Sequence, residues 1–339
     1  MDRARRILSL LATGVLAAWV PFAGAEDAPR PWLTAVEAEA APTVTTVAPA
    51  REGEWEKPGI LKAFRFGVDY TLATDYVWRG VNFSEYAGEG REKLNHQLGV
   101  SFEFDPSKIG GANIGRFGGS FWFEWFGGQE ALTGWSDNNL QEVDYTVYWA
   151  HECPALGLGV EIGWIAYHYP RFRDSGSDTS ADFAYTHEVY FGLSYDDSRL
   201  FGQPMLSPTL TYYQDVDDVR GGALSLGVSH DFELSKFCPD VPWLTHVTVT
   251  PSLALWWDHR FYDKAGLGSN SADPAVGSRL GFLEYGLAVA YDLSGALNIP
   301  PQYGALTLTG FLNFVQSFHD ESAAVQDEFY GGFTLGWGW

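Results

Sequence analysis

From Phe64 to its last residue the chain alternates between apolar and polar positions with a period of two. Phe64, Phe66, Val68, Tyr70, Leu72, Tyr76 and Trp78 fall on one side of an extended segment, and Arg65, Gly67, Asp69, Thr71, Asp75 and Arg79 on the other. Successive side chains of a strand point to opposite faces, so one face of this segment is apolar and the other polar or glycine. The same division recurs at residues 94–104, 117–125, 143–149, 158–164, 189–195, 206–212, 224–232, 247–257, 283–291, 306–314 and 329–339, twelve segments in all. Connections after the odd segments are mostly long and polar, as at residues 170–182. Those after the even ones are generally shorter and rich in turn residues, such as ECPALG. An even number of strands with short turns on one side and long loops on the other predicts an all-β fold: a closed antiparallel transmembrane β-barrel of twelve strands, with both termini on the short-turn side.

The placement of aromatics separates this reading from a soluble sandwich. The even segments finish on Phe104, Trp149, Tyr195, Phe232, Tyr291 and Trp339, each on the apolar face. Rings at one height suit a membrane interface, where the ring lies in hydrocarbon and its polar edge stays wet. Trp78, Trp125, Tyr212 and Trp257 would form the opposite girdle. The polar face carries ten acids (Asp69, Glu103, Glu124, Glu142, Asp144, Glu161, Glu188, Asp231, Glu284 and Glu328) against Arg65 and Arg79. In a soluble protein the apolar face would need a second sheet as cover. Lipid removes that need, and closure removes the sheet edges that hydrocarbon does not tolerate.

Composition fits such segregation: 16% of residues are aromatic, with 14 Trp, in a chain that also holds 38 Gly and 43 acidic residues. The formal charge of −22 argues against nucleic acid, whose phosphates would be repelled. At the N-terminus Arg3, Arg5 and Arg6 precede an apolar run, and Ala23-Gly24-Ala25 offers an A-x-A cleavage site. Residues 1–25 therefore read as a cleaved signal peptide, 26–58 as a flexible periplasmic linker rich in Ala, Pro, Glu and Thr, and 59–339 as the barrel. Export places the protein in the outer membrane of a Gram-negative envelope, with outer-membrane lipids around it. Cys153 and Cys238 fall in turns on the periplasmic side, where a disulfide is permitted. A third turn lies between theirs around the rim, so two free thiols are expected.

The ending DEFYGGFTLGWGW, with Phe333, Leu335, Trp337 and Trp339 alternating to the last residue, resembles the C-terminal strand that outer-membrane proteins present to the barrel assembly machinery. The last residue there is usually Phe, and Trp339 departs from that pattern. Thr74–Gly80, TDYVWRG, is similar to a T-x-Y-V-aromatic-R-G in the first strand of a family of uncharacterised bacterial outer-membrane proteins. That likeness implies the barrel and no activity.

Catalytic and metal motifs are thin. A lipid-facing hydrolytic site needs His and Ser on one face, and none of the eight His has Ser two positions on. His187-Glu188 lacks the second His of H-E-x-x-H, and the cysteines are not paired as C-x-x-C. No enzyme, metal or cofactor is expected. The inward acids point instead to a wetted lumen, because an unpaired buried carboxylate costs several kcal/mol. Twelve strands enclose a space between a side-chain-filled barrel and a porin, and Trp122, Tyr148, Tyr167, Tyr190, Tyr213, Trp256 and Tyr330 would narrow it. The expectation is a narrow, cation-favouring channel for small hydrophilic solutes. Arg65, Asp69, Arg79, Glu124, Glu161, Glu188 and Glu284 are the lumen-lining candidates. The alternative is a closed barrel with a structural or surface-binding role through its external loops.

Overall fold

The computed structural model describes residues 57, 59–86, 94–126, 140–170, 185–264, 278–318 and 325–339. The signal segment and nearly all of the linker lie outside them. Twelve strands form the wall: β1 (Phe64–Ala73), β2 (Asn95–Phe104), β3 (Arg116–Phe126), β4 (Leu140–Cys153), β5 (Leu158–His168), β6 (Tyr185–Tyr195), β7 (Thr209–Asp215), β8 (Gly222–Ser229), β9 (Val247–His259), β10 (Arg279–Asp292), β11 (Ala305–Ser317) and β12 (Glu328–Gly338). Phe232–Glu233 continues β8 along β9. Every strand pairs antiparallel with its sequence neighbours, and β12 returns to β1 with Val68 opposite Trp337 and Tyr70 opposite Leu335. The ring is therefore closed, and Trp339 exchanges both backbone hydrogen bonds with Phe66 at 2.7 and 2.8 Å.

Burial alternates along each strand as the sequence pattern predicts. Phe66, Val68 and Tyr70 on β1 are exposed while Gly67 and Asp69 between them are buried. Around the wall Phe121, Val147, Ile162, Phe191, Leu226, Leu253, Leu287 and Leu312 all stand exposed on the outside. A continuous apolar exterior of this extent has no stable interface with water and is the surface of a barrel in lipid. An arginine near the middle of this belt, Leu312→Arg, is expected to destabilise the folded barrel by about 2–4 kcal/mol. Urea titration of the barrel in phospholipid vesicles measures it, and an unchanged midpoint would contradict a lipid-facing belt.

Several strands run a few residues beyond the segments read from the sequence, and two boundaries differ in the other direction. The strand expected at 206–212 begins at Thr209, because Ser207 takes a left-handed conformation (φ +39°) before Pro208. More consequentially, β1 stops at Ala73 instead of continuing through Tyr76 and Trp78. The chain there turns into the barrel as a small hairpin, with Val77 paired to Asn82 and Trp78 to Val81. Arg79 (φ +47°) and Gly80 (φ +78°) make its tight turn, and both φ values lie in the left-handed region. Trp78 is consequently 6% exposed in the interior and is not part of an outer girdle. Cys153, at the end of β4, and Cys238, in the turn before β9, are both free thiols.

Candidate functional site

The interior has two unlike halves. On β8, β9 and β10 the inward positions toward the short-turn end are small: Gly227, Ser229, Ser252, Ala254 and Gly286. Ser252 faces Ser229 and Gly286 across the neighbouring strands and is exposed. The inner face at these positions is therefore reached by water. The opposite half is filled. Its contiguous buried cluster joins wall residues Trp122, Tyr167, Tyr213, Trp256 and Phe282 to loop residues that fold inward. Those loop residues are Tyr76, Val77, Trp78 and Val81 of the hairpin, Phe261 and Tyr262 after β9, and Val325 before β12.

The hairpin is held at base and tip. At its base the Tyr76 N–H donates to Ser84 Oγ at 2.8 Å and the Phe83 N–H to the Tyr76 carbonyl at 2.8 Å. At its tip the Arg79 guanidinium reaches the far wall and makes a two-pronged ion pair with Glu188, at 2.8 and 2.7 Å. Both side chains are 1% exposed. Arg79 also lies 4.5 Å from the ring centre of Trp78, 4.6 Å from Tyr213 and 5.0 Å from Phe261. A planar guanidinium suits this box, because its fork matches a carboxylate while its faces stack on rings. The Tyr262 hydroxyl donates to the Arg79 carbonyl. Burial, and then the Asp258 carboxylate, push that hydroxyl well above its ordinary range, so it keeps the proton it donates.

The remaining inward carboxylates are met largely by tyrosines. Tyr76 donates to Glu142 at 2.7 Å, Tyr167 to Glu188 at 2.8 Å, Tyr190 to Glu161 at 2.6 Å and Tyr330 to Glu284 at 2.7 Å, with a longer 3.4 Å contact from Tyr148 to Glu103. Glu124 accepts from Asn95, and Asp69 sits over Gly99, where a Cβ would come within 2.6 Å of its oxygens. Two of these tyrosines lie against a glycine: added Cβ atoms at Gly118 and Gly163 would clash with the hydroxyl-bearing ends of Tyr148 and Tyr190. Asp69, Glu124, Glu161 and Glu188 are thus buried on the inner face, and Glu284 is half-buried there.

Arg65 differs from the other lumen candidates. Its side chain is 61% exposed at the short-turn rim, 3.2 Å from Glu103. Glu103 also meets Arg116, which reaches Glu152 at 3.3 Å. Setting ten acids against two arginines missed Arg116, because the sequence segment was begun one residue late at Phe117. It also omitted the tyrosine hydroxyls, which the sequence shows only as bulk. The densest acidic patch lies beside the hairpin: Glu124 is the register partner of Glu142, Asp144 follows two residues on, and all three are buried.

The girdle candidates Phe104, Trp149, Tyr195, Phe232, Tyr291 and Trp339 are all half-exposed near the short-turn end, although β4 runs on past Trp149 to Cys153.

No protein-family model and no curated protein sequence matches the chain. Among solved structures the barrel is similar to a KdgM porin (11% identity, 80% of this chain and 98% of that one, TM-score 0.38). It is also similar to an outer membrane channel from Pseudomonas putida F1 (8% identity, 85% and 98%, TM-score 0.40) and to Salmonella typhi OmpF (8%, 81% and 97%, TM-score 0.32).

Proposed function

We propose that this protein is a gated outer-membrane channel for small hydrophilic solutes, that it favours cations, and that the hairpin after β1 is its internal stopper. The observation that carries this reading is the seat of Arg79. A site made of a carboxylate, a tyrosine hydroxyl and three aromatic rings is chemically a cation site, and here a tethered guanidinium occupies it. With the hairpin withdrawn, Glu188 would stand with Glu124, Glu142 and Asp144 around the passage. Acidic rings attract cations and repel anions. Arg65 and Arg116 at the periplasmic rim temper that preference without reversing it. The small residues of the periplasmic half supply the rest of a water-filled path.

Planar-bilayer recording tests the reading. Wild-type barrels should give low, interrupted current. A variant with residues 75–82 replaced by a glycine-serine link should give ohmic current whose reversal potential in a potassium chloride gradient shows cation preference. The filled extracellular half favours a second reading, a permanently closed barrel that works through its outer loops, and silence of both proteins across many insertions would select it.

A further inference from the structure

The periplasmic turns carry apolar side chains that a water-facing turn would not need. Ile114 between β2 and β3, Leu156 between β4 and β5, Leu200 between β6 and β7, Phe237 between β8 and β9, and Leu297 between β10 and β11 are each more than half exposed. All five turns therefore present an uncovered hydrocarbon group. Scattered exposed leucines are ordinary; one in every turn at a single level of the molecule is a surface.

Hydrogen bonds and ring contacts fix which way three of these turns face. The indole N–H of Trp149 donates to the Ile114 carbonyl at 2.8 Å, and that of Trp337 to the Tyr303 carbonyl at 2.8 Å. Trp339 likewise donates to the Gln302 carbonyl at 3.1 Å. Trp337 is exposed on the outer wall, so the turn bonded to it curls outward over the lipid-facing side. Phe237 packs 6.3 Å from Phe232 at the end of that same apolar face. The turn at Leu200 is tied to the one at Leu156, because Arg199 donates to the carbonyls of Pro154 and Ala155. Indoles at a membrane boundary ordinarily aim their N–H at wet headgroups. Three of them here are occupied by turn backbone, which moves the boundary outward by one turn.

We propose that the five turns form a collar seated in the headgroup layer of the periplasmic phospholipid leaflet, with their apolar side chains in the upper acyl region. The collar continues the lipid-facing belt beyond the indoles. Lys62 and Lys108 are exposed at the same end and can meet phosphodiester oxygens. The proposal rests on the membrane-barrel reading and is independent of conduction.

Spin labels test it. In a Cys153→Ser, Cys238→Ser background, single cysteines replace Leu156, Leu200 or Leu297, with Leu312→Cys as the belt reference. The labelled barrels are reconstituted in phosphatidylethanolamine–phosphatidylglycerol bilayers, and folding is checked by heat-modifiable gel mobility. Collisions with oxygen should exceed those with a water-soluble nickel chelate at all three turn positions, as at Leu312. Turn labels that meet the chelate freely while Leu312 stays protected would overturn the collar alone. Chelate access at Leu312 as well would overturn the membrane reading beneath it.

Discussion

Barrels carrying Arg79→Ala will pass sustained current where the wild-type protein gives only a low, interrupted one. The substitution removes the stopper's hold and leaves Glu188 buried opposite an empty seat. Breaking one partner of a buried ion pair costs about 3–5 kcal/mol, because the surviving charge keeps its desolvation penalty. That cost falls on the state with the hairpin inside, since withdrawal lets water reach Glu188. At about 1.4 kcal/mol per decade, the balance between inserted and withdrawn states shifts by roughly two to three and a half decades. Glu188→Gln should open the barrel too, now with the guanidinium stranded. Replacing both residues by methionine should restore closure, since an apolar pair of similar volume is often as stable as a buried ion pair. The readout is the open fraction in single-channel records. An Arg79→Ala barrel no more open than wild type, while still showing a folded gel mobility, would remove Arg79 as the hold.

Gly163→Ala should be a strongly damaging small substitution in the wall. Its Cβ would clash with the hydroxyl-bearing end of Tyr190, and both neighbouring strands are fixed by backbone pairing, so Tyr190 must swing away from Glu161. Overpacking costs about 1–3 kcal/mol and a lost hydrogen bond to a buried carboxylate adds to it, so a total of about 2–4 kcal/mol is expected. Gly336→Ala on β12 is the control, because nothing lies within 4 Å of the Cβ it would gain. It should stay within about 0.5 kcal/mol of wild type. Urea midpoints in vesicles separate the two, and equal midpoints would show that the tyrosine does not depend on the bare backbone beneath it.

The wall was legible because lipid imposes a simple rule. Every outward position must be apolar, so Phe66, Val68 and Tyr70, or Leu308 and Leu312, print a period of two that no loop disturbs. Tyr76 and Trp78 obeyed the same rule for another reason. A packed interior asks for aromatics as readily as lipid does, and alternation cannot distinguish the two partners. The signal that could have separated them is Arg79-Gly80, a tight-turn pair placed where the strand was still expected to run. The tyrosine–carboxylate pairs were hidden differently. Glu103, Gly118 and Tyr148 form one row across three strands, and a row exists only once register is known. Each residue was visible on the inner face, but its partner was not.

The ring is joined by pairing the chain's first barrel strand to its last, and the stopper follows directly from that first strand. While residues 328–339 are still unpaired, the cylinder has a slot along its side next to β1. The hairpin can therefore swing in sideways through this gap before it shuts, with no need to pass down the mouth. A circularly permuted chain joined elsewhere would lose that entrance.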